Sequence, residues 1–217
     1  MLRAIFVKEG NAIWISHLDL MRVLQRSFRR AGLLLKHSQG YTPHPCLSLA
    51  LPLSVGVSSQ WEIMDFELAE ETELSSLCER LNRVLPEGIR ILSVYESERK
   101  IKELTHLRVC LTMEYENAVP EGFDAAVTAL FERPALTVEK RTKSGQLTEL
   151  DLLPLVSHME WSAPDEKTRA LICVICAQNP SLNPSLLVQA ISREVSEPWL
   201  ASIRRLEVLD GEGKVFR

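Results

Sequence analysis

The chain has 217 residues, of which 46% are hydrophobic and 25% charged, and a formal net charge of -4. This is the make-up of a soluble folded protein with one larger or two small domains, and it excludes a disordered chain. No apolar run approaches the roughly 20 residues that span a bilayer, and five cysteines at scattered positions form no disulfide framework. The reading is a cytoplasmic protein with no membrane partner.

In chain order, "LRAIFVK" reads as a strand, because charges flank its short apolar run and no small-residue cleavage site follows. "NAIWIS" continues as a short strand or extension. "SHLDLMRVLQRSFRR" is a helix: Ser16 is a natural N-cap, Asp19 sits where the helix N-terminus favours an acid, and Gly32 occupies the stop position. At about 100° per residue, Leu20, Met21, Val23, Leu24, Phe28 and Ala31 share one face. Arg22, Arg26, Arg29 and Arg30 share the other.

Like charges at this spacing repel by about 0.2–0.5 kcal/mol per pair. Asp19 is the one local acid to offset them. Two readings stand. The arginines form a solvated face neutralised from elsewhere in the fold, or they form an anion site for phosphate, which suits bidentate guanidinium groups. The wider charge pattern does not choose between them. Residues 1–45 hold seven Lys and Arg against two acids, whereas residues 46–100 hold five against ten. The two segments can pair with each other, or the first can bind a polyanion locally.

"LLLKHS" and "CLSLALPL" read as extended, with Leu47, Leu49 and Leu51 on one face. Between them, "KHSQGYTPHP" is a loop stiffened by two prolines and turned at Gly40. It displays Ser38, Gln39, Tyr41, Thr42 and His44 close in sequence to the arginines. It is either a polar hairpin-like connection or a functional loop. "WEIMDFELA" is a strand with Met64, Phe66 and Leu68 inward. Thr72 caps a helix carrying Leu74, Leu77, Cys78, Leu81, Val84 and Leu85, and Pro86 with Gly88 ends it before the strand "IRILSVY".

After the polar linker at 96–104 the order recurs. "HLRVCLTMEY" is a strand with Leu107, Val109, Leu111, Met113 and Tyr115 on one face, followed by a short helix around 121–132. "ALTVEKRT" and "QLTELDL" form a hairpin, "RALICVICA" is a buried strand, Asn183-Pro184 opens a helix to about 194, and "SIRRLEVL" closes the chain. The expected class is α+β: two tandem ferredoxin-like (split β-α-β) domains with antiparallel sheets, at 1–98 and 105–217.

The candidates for chemistry are few. His17, His37 and His44 fall within the first 45 residues but lack the i,i+4 or HxH spacing of a metal site, so no metal and no cofactor is expected. His17 and His44 are the candidate catalytic acid and base. Cys173 and Cys176 have CxxC spacing inside an apolar run, where a strand sends them to opposite faces. Lys140, Arg141 and Lys143, with Arg204 and Arg205, are solvated faces or an extension of a phosphate track.

"ISHLDLMRVLQRSFRRAGL", "HSQGYTPHPCLSLALPLSVGVSS" and "WEIMDFEL" together resemble the radical SAM-linked protein family, a bacterial domain of unknown function found alone or fused C-terminal to a radical SAM protein. The resemblance is strongest over 15–68 and weaker at "VEKRTKSGQLTELDLLPLV" and "IRRLEVL". It implicates Ser16, His17, Asp19, Arg22, Arg26, Arg29, Arg30, Ser38, Gln39, Gly40, His44, Pro45 and Gly56. Where that family has Phe-Asn-Pro after the turn glycine, this chain has Tyr41-Thr42-Pro43, keeping the aromatic and the proline but losing an amide. The resemblance implies a radical SAM protein as partner. No cysteine triad is present to hold the cluster of such an enzyme in this chain.

Three functions remain open at this point. One is an accessory RNA-binding or substrate-presenting module serving a radical SAM enzyme in tRNA or rRNA modification, with Arg22, Arg26, Arg29 and Arg30 on phosphates, Ser38, Gln39 and His44 on a nucleotide, and Tyr41 stacking on a base. The second is a metal-independent RNA endonuclease, similar in outline to the CRISPR-associated RNA-processing endoribonucleases, though without their glycine-rich loop. The third is a protein-interaction module whose arginines dock on the radical SAM partner.

Overall fold

A computed structural model describes residues 1–141 and 147–217, with the backbone alone at Lys140 and Arg141. The chain divides into two compact units, Met1–Glu103 with Arg217, and Leu104–Phe216. Both are α+β with antiparallel strands. No helix among the described residues is long and apolar enough to cross a membrane.

The first unit runs β1 (Leu2–Lys8), α1 (His17–Arg30), β2 (Leu47–Leu49), β3 (Ser58–Phe66), α2 (Leu74–Asn82) and β4 (Ile89–Glu96). Its strands lie in the order β4-β1-β3-β2, and every neighbour is antiparallel. One face of β1 and β3 sends Ala4, Phe6, Met64 and Phe66 into a core completed by Leu20, Leu24 and Phe28 of α1 and by Leu77 and Leu81 of α2. Phe28 meets Phe66 edge-on at 4.8 Å between ring centroids, a geometry that adds about 0.5–1.5 kcal/mol to their burial.

Several local expectations change. "NAIWIS" is a 3-10 turn (Gly10–Trp14), tied down by Lys8 Nζ, which donates to the carbonyls of Ile13 and Ile15. Lys8 is buried, and desolvation pushes its pKa down against the charge of Glu62, which holds it up. Arg3 is buried too. Opposite Asp65 in the β1–β3 register, it donates to both carboxylate oxygens at 2.6 and 2.9 Å. Two bases of the basic N-terminal segment are therefore interior. Thr72 does not cap α2: its hydroxyl donates to the Glu70 carbonyl, Glu73 holds the N-cap position, and the hydroxyls of Ser75 and Ser76 fold back onto Glu73. The N-cap thus falls one residue later than the threonine expected to hold it.

The second unit runs β5 (Leu104–Glu114), α3 (Phe123–Phe131), β6 (Thr137–Arg141), β7 (Leu147–Asp151), β8 (Val156–Ser162), β9 (Thr168–Cys176), α4 (Ser185–Glu194) and β10 (Leu200–Asp210). The main strands lie in the order β10-β5-β9-β8, again all antiparallel. The β6–β7 hairpin forms a sheet of its own. The expected hairpin exists, but the edge strand is β8, which shows no hydrophobic alternation. Lys143 lies outside the described residues, as do the side chains of Lys140 and Arg141.

Leu107, Val109, Leu111 and Met113 are all buried along β5, with Tyr115 just past its end, as are Leu171, Cys173 and Ile175 along β9. Cys173 is fully enclosed, and burial pushes its thiol up to about 12. It is a core residue of the strand rather than a redox or metal ligand.

Candidate functional site

The site is built on α1, and its local sequence explains why the helix begins and ends where it does. The Asp19 N–H donates to Ser16 Oγ at 3.2 Å, and Ser16 Oγ donates to the Asp19 carboxylate at 2.7 Å, a reciprocal cap. The Ser16 hydroxyl first and Arg22 second hold the Asp19 carboxyl below its ordinary value of 3.8. At the other end, Gly32 takes φ +67, its N–H donates to the Arg29 carbonyl, and the Leu33 N–H donates to that of Phe28. This pair of bonds is a Schellman stop, and its left-handed residue favours glycine.

The four arginines have different fates. Arg22 pairs with Asp19 at 2.9 Å, with both side chains exposed. Arg30 turns to the end of α2 and donates to the Val84 carbonyl at 2.7 Å and to Ser27 Oγ at 3.2 Å, so it joins two helices. Arg80 returns the tie by donating to the carbonyls of Ala31 and Gly32. Arg26 and Arg29 are exposed and have no hydrogen-bond or ionic partner among the described residues.

Arg22, Arg26 and Arg29 line one concavity of about 350 Å³ with Leu34, His37 and Pro45. The acidic segment does not close it, although one of its acids, Glu67, pairs with Lys36 at 2.7 Å.

The loop reaches the arginines through its base. His37 bridges Pro45, the Cys46 N–H donates to the Lys36 carbonyl, and the Ser38 N–H donates to the carbonyl of His44. The His44 N–H donates to Ser38 Oγ at 3.1 Å. Ser38 is therefore a closing residue of the loop. Gln39 and His44 are exposed, and Tyr41 stands wholly in solvent. Of the lining residues, the sequence offered His37 only as a histidine without metal spacing and Pro45 only through the family resemblance, and it did not single out Leu34. The signal for the first two was their position at the two ends of the loop, where a closed hairpin places them beside the helix.

The candidate acid and base are not brought together. His17 is the first residue of α1, half-buried, with Nδ1 enclosed and without a hydrogen-bond partner among the described residues. His44 is at the loop, with Nδ1 3.4 Å from the Pro45 carbonyl. Among the described residues no group of three or more His, Cys, Asp or Glu side chains is placed to hold a metal ion. Arg205 is buried and so cannot extend a phosphate track, whereas Arg204 is exposed.

No curated protein matches the sequence. Among solved structures, a chain of a Cbf5-Nop10-Gar1 complex superposes with a TM-score of 0.52 at 11% identity, over 94% of this chain and 48% of that one. A chain of an H/ACA RNP bound to a substrate RNA containing 2'-deoxyuridine gives 0.48 at 12% identity, over 97% and 48%. An unknown protein from Galdieria sulphuraria gives 0.27 at 12%, over 94% and 95%. The chain thus spans about half the length of the first two, and the likeness at 0.52 is one of fold. The sequence profile of the family described as "Uncharacterized protein conserved in bacteria (DUF2344)" covers residues 1–184, and the chain belongs to that family.

Proposed function

We propose that the chain is an RNA-binding, substrate-presenting module, and that α1 with the base of the 37–45 loop is its phosphate-binding surface. The observation that carries this reading is the pair Arg26 and Arg29. They stand exposed and unpartnered on the wall of a 350 Å³ concavity, in a chain whose net charge is negative. An ordered pair of free guanidinium groups beside a neutral, polar loop suits a phosphodiester backbone. Tyr41, projecting into solvent from that loop, supplies a ring on which a base can stack. Ser38 and Arg30 serve the fold and leave the contacts to Arg22, Arg26, Arg29, Gln39, Tyr41 and His44.

In this reading each unit is a split β-α-β domain of the ferredoxin-like type, the second carrying an inserted hairpin. The strand orders β4-β1-β3-β2 and β10-β5-β9-β8 support it. The resemblance in the sequence adds a radical SAM enzyme as the partner that acts on the presented tRNA or rRNA, in the cytoplasm. Likeness in fold to a chain of a Cbf5-Nop10-Gar1 complex is compatible with a module that works inside a larger assembly. Cleavage by His17 and His44 is not part of the proposal, since no contact joins them.

The test is a titration of bulk bacterial tRNA into the purified protein, followed by fluorescence anisotropy. Saturable binding is the expected result. No binding at low salt overturns the reading and leaves docking on a protein partner as the use of the free arginines.

A further inference from the structure

The second unit carries a concavity of about 670 Å³ that the reading above does not use. It lies on the sheet face opposite the buried side chains of β5. One row of this face runs across four strands, from Ser157 of β8 through Val174 of β9 and Arg108 of β5 to Glu207 of β10. His106 stands on the same face of β5, two residues before Arg108.

The edge strand is bent into this site. Three steps along β8, from Ser157 to Glu160, answer only two along β9, so β8 bulges at His158. His158 takes φ +50, a left-handed conformation that costs a non-glycine residue energy and is found where the surroundings enforce it. Bulges commonly re-aim a side chain beside a site, and here the His158 imidazole lines the cavity with His106. The His106 ring is held by its own neighbour, with Thr105 Oγ1 2.8 Å from Nδ1, which leaves Nε2 for the cavity. Arg108 meets Glu207 through a single contact of 3.3 Å between half-exposed side chains. The Gly211–Gly213 turn closes the rim, and Asp210 fixes it by accepting the N–H groups of Glu212 and Lys214.

We propose that this face is a second binding site and that its ligand is one nucleotide of a single-stranded RNA. The proposal rests on the RNA reading of the first unit and extends it. Two flat imidazoles, a guanidinium and a hydroxyl suit a base and a phosphate, and single-stranded RNA is commonly bound on the open face of a four-stranded antiparallel sheet. Glu207 and Glu212 set the class of ligand. They repel a small anion, but they accept hydrogen bonds from sugar hydroxyls and base amino groups, which a nucleotide carries together with its phosphate. The cavity falls in the size range of small-molecule sites, about 300–1,000 Å³. A metal ion is not the occupant, because no three ligating side chains converge there among the described residues.

The five histidines give five resolvable imidazole signals by NMR, assigned with single His-to-Gln variants. The 5'-monophosphates of the four ribonucleosides, and inorganic phosphate separately, are titrated into the full chain. The nucleotides are expected to shift His106 and His158 together, with binding at least about tenfold weaker in His106→Ala, the loss of one charge-assisted hydrogen bond. His158→Asn tolerates the left-handed backbone. It is expected to melt no lower than the parent while losing the His106 response, which separates a ligand role from a structural one.

Arg26→Ala/Arg29→Ala removes any response of His37 and leaves those of His106 and His158. Failure of the first site and failure of this one are thereby distinguished. Unshifted His106 and His158, or equal shifts with phosphate alone, would overturn the proposal.

Discussion

The two units share a strand order but differ in what their first helix does with charge. In the first, Arg3 and Asp65 pair in the interior at 1% and 5% exposure, and Arg22 with Asp19 and Lys36 with Glu67 pair at the surface. Arg26 and Arg29 stay open there without a partner among the described residues. In the second, Arg108, Arg133, Arg169 and Arg193 are each answered by an acid. Arg169 holds Asp124 at 2.9 Å, and Arg133 and Arg193 share Glu194 at 2.9 and 2.8 Å. The helices that follow the first strand of each unit show the contrast directly, since α1 presents free cations and α3 presents Asp124 to an arginine of its own unit. A common architecture therefore does not settle where binding lies; that depends on which side chains the scaffold leaves unsatisfied.

The largest effect should come from the interior pair. Asp65→Ala leaves the Arg3 guanidinium buried without its carboxylate and is expected to cost about 3–5 kcal/mol. The matching cut in the second unit, Asp124→Ala, removes an acid whose side chain is 68% exposed and should cost less than about 1 kcal/mol. Urea melts of both variants check the pair, and similar losses in the two would erase the contrast.

Next in size is the helix stop. Gly32→Ala places a Cβ at φ +67 and should cost about 1–2 kcal/mol. Ser16→Ala at the other end of α1 should cost about 1 kcal/mol.

The smallest effect is a pH dependence. Because the folded Asp19 carboxyl is held below 3.8 by Ser16 and Arg22, its contribution is fully present above 3.8 and is lost as pH falls through the lowered folded value. Asp19→Asn should therefore differ from the parent at neutral pH and converge with it in acid, as followed by melts across that range.

The helix α1 was legible because all its signals are local. A serine, an aspartate three residues on, an apolar stripe and a terminal glycine each act within one turn of their neighbours. β5 was legible for the same kind of reason, since its alternation reports directly on burial, and β9 because a short continuous apolar run marks a strand buried on both faces. β8 was not. As an edge strand with a bulge at His158, it breaks the two-residue period that marks a strand. The β6–β7 hairpin has the local pattern of any strand pair, and whether it joins the main sheet is decided by partners distant in sequence.

At the site, the arginines were visible but their fates were not. Arg30 is spent on the carbonyl of Val84, whereas Arg26 on the same helix is free, and nothing in the helix sequence separates them. Likewise Arg3 and Lys8 counted as surface charge until β1 placed them inside. His106 and His158 lie 52 positions apart, and only strand pairing brings them into one cavity.

The central claim is that Arg26 and Arg29 hold phosphates. The most direct measurement is tRNA affinity across a salt series, in the parent and in Arg26→Ala/Arg29→Ala, with Arg169→Ala as a control from the second unit. Each phosphate contact adds about 0.9 to the slope of log affinity against log salt on a duplex and about 0.7 on a single strand. The account predicts a slope shallower by roughly 1.4–1.8 in the double variant and unchanged in the control. Equal slopes in parent and double variant would contradict it.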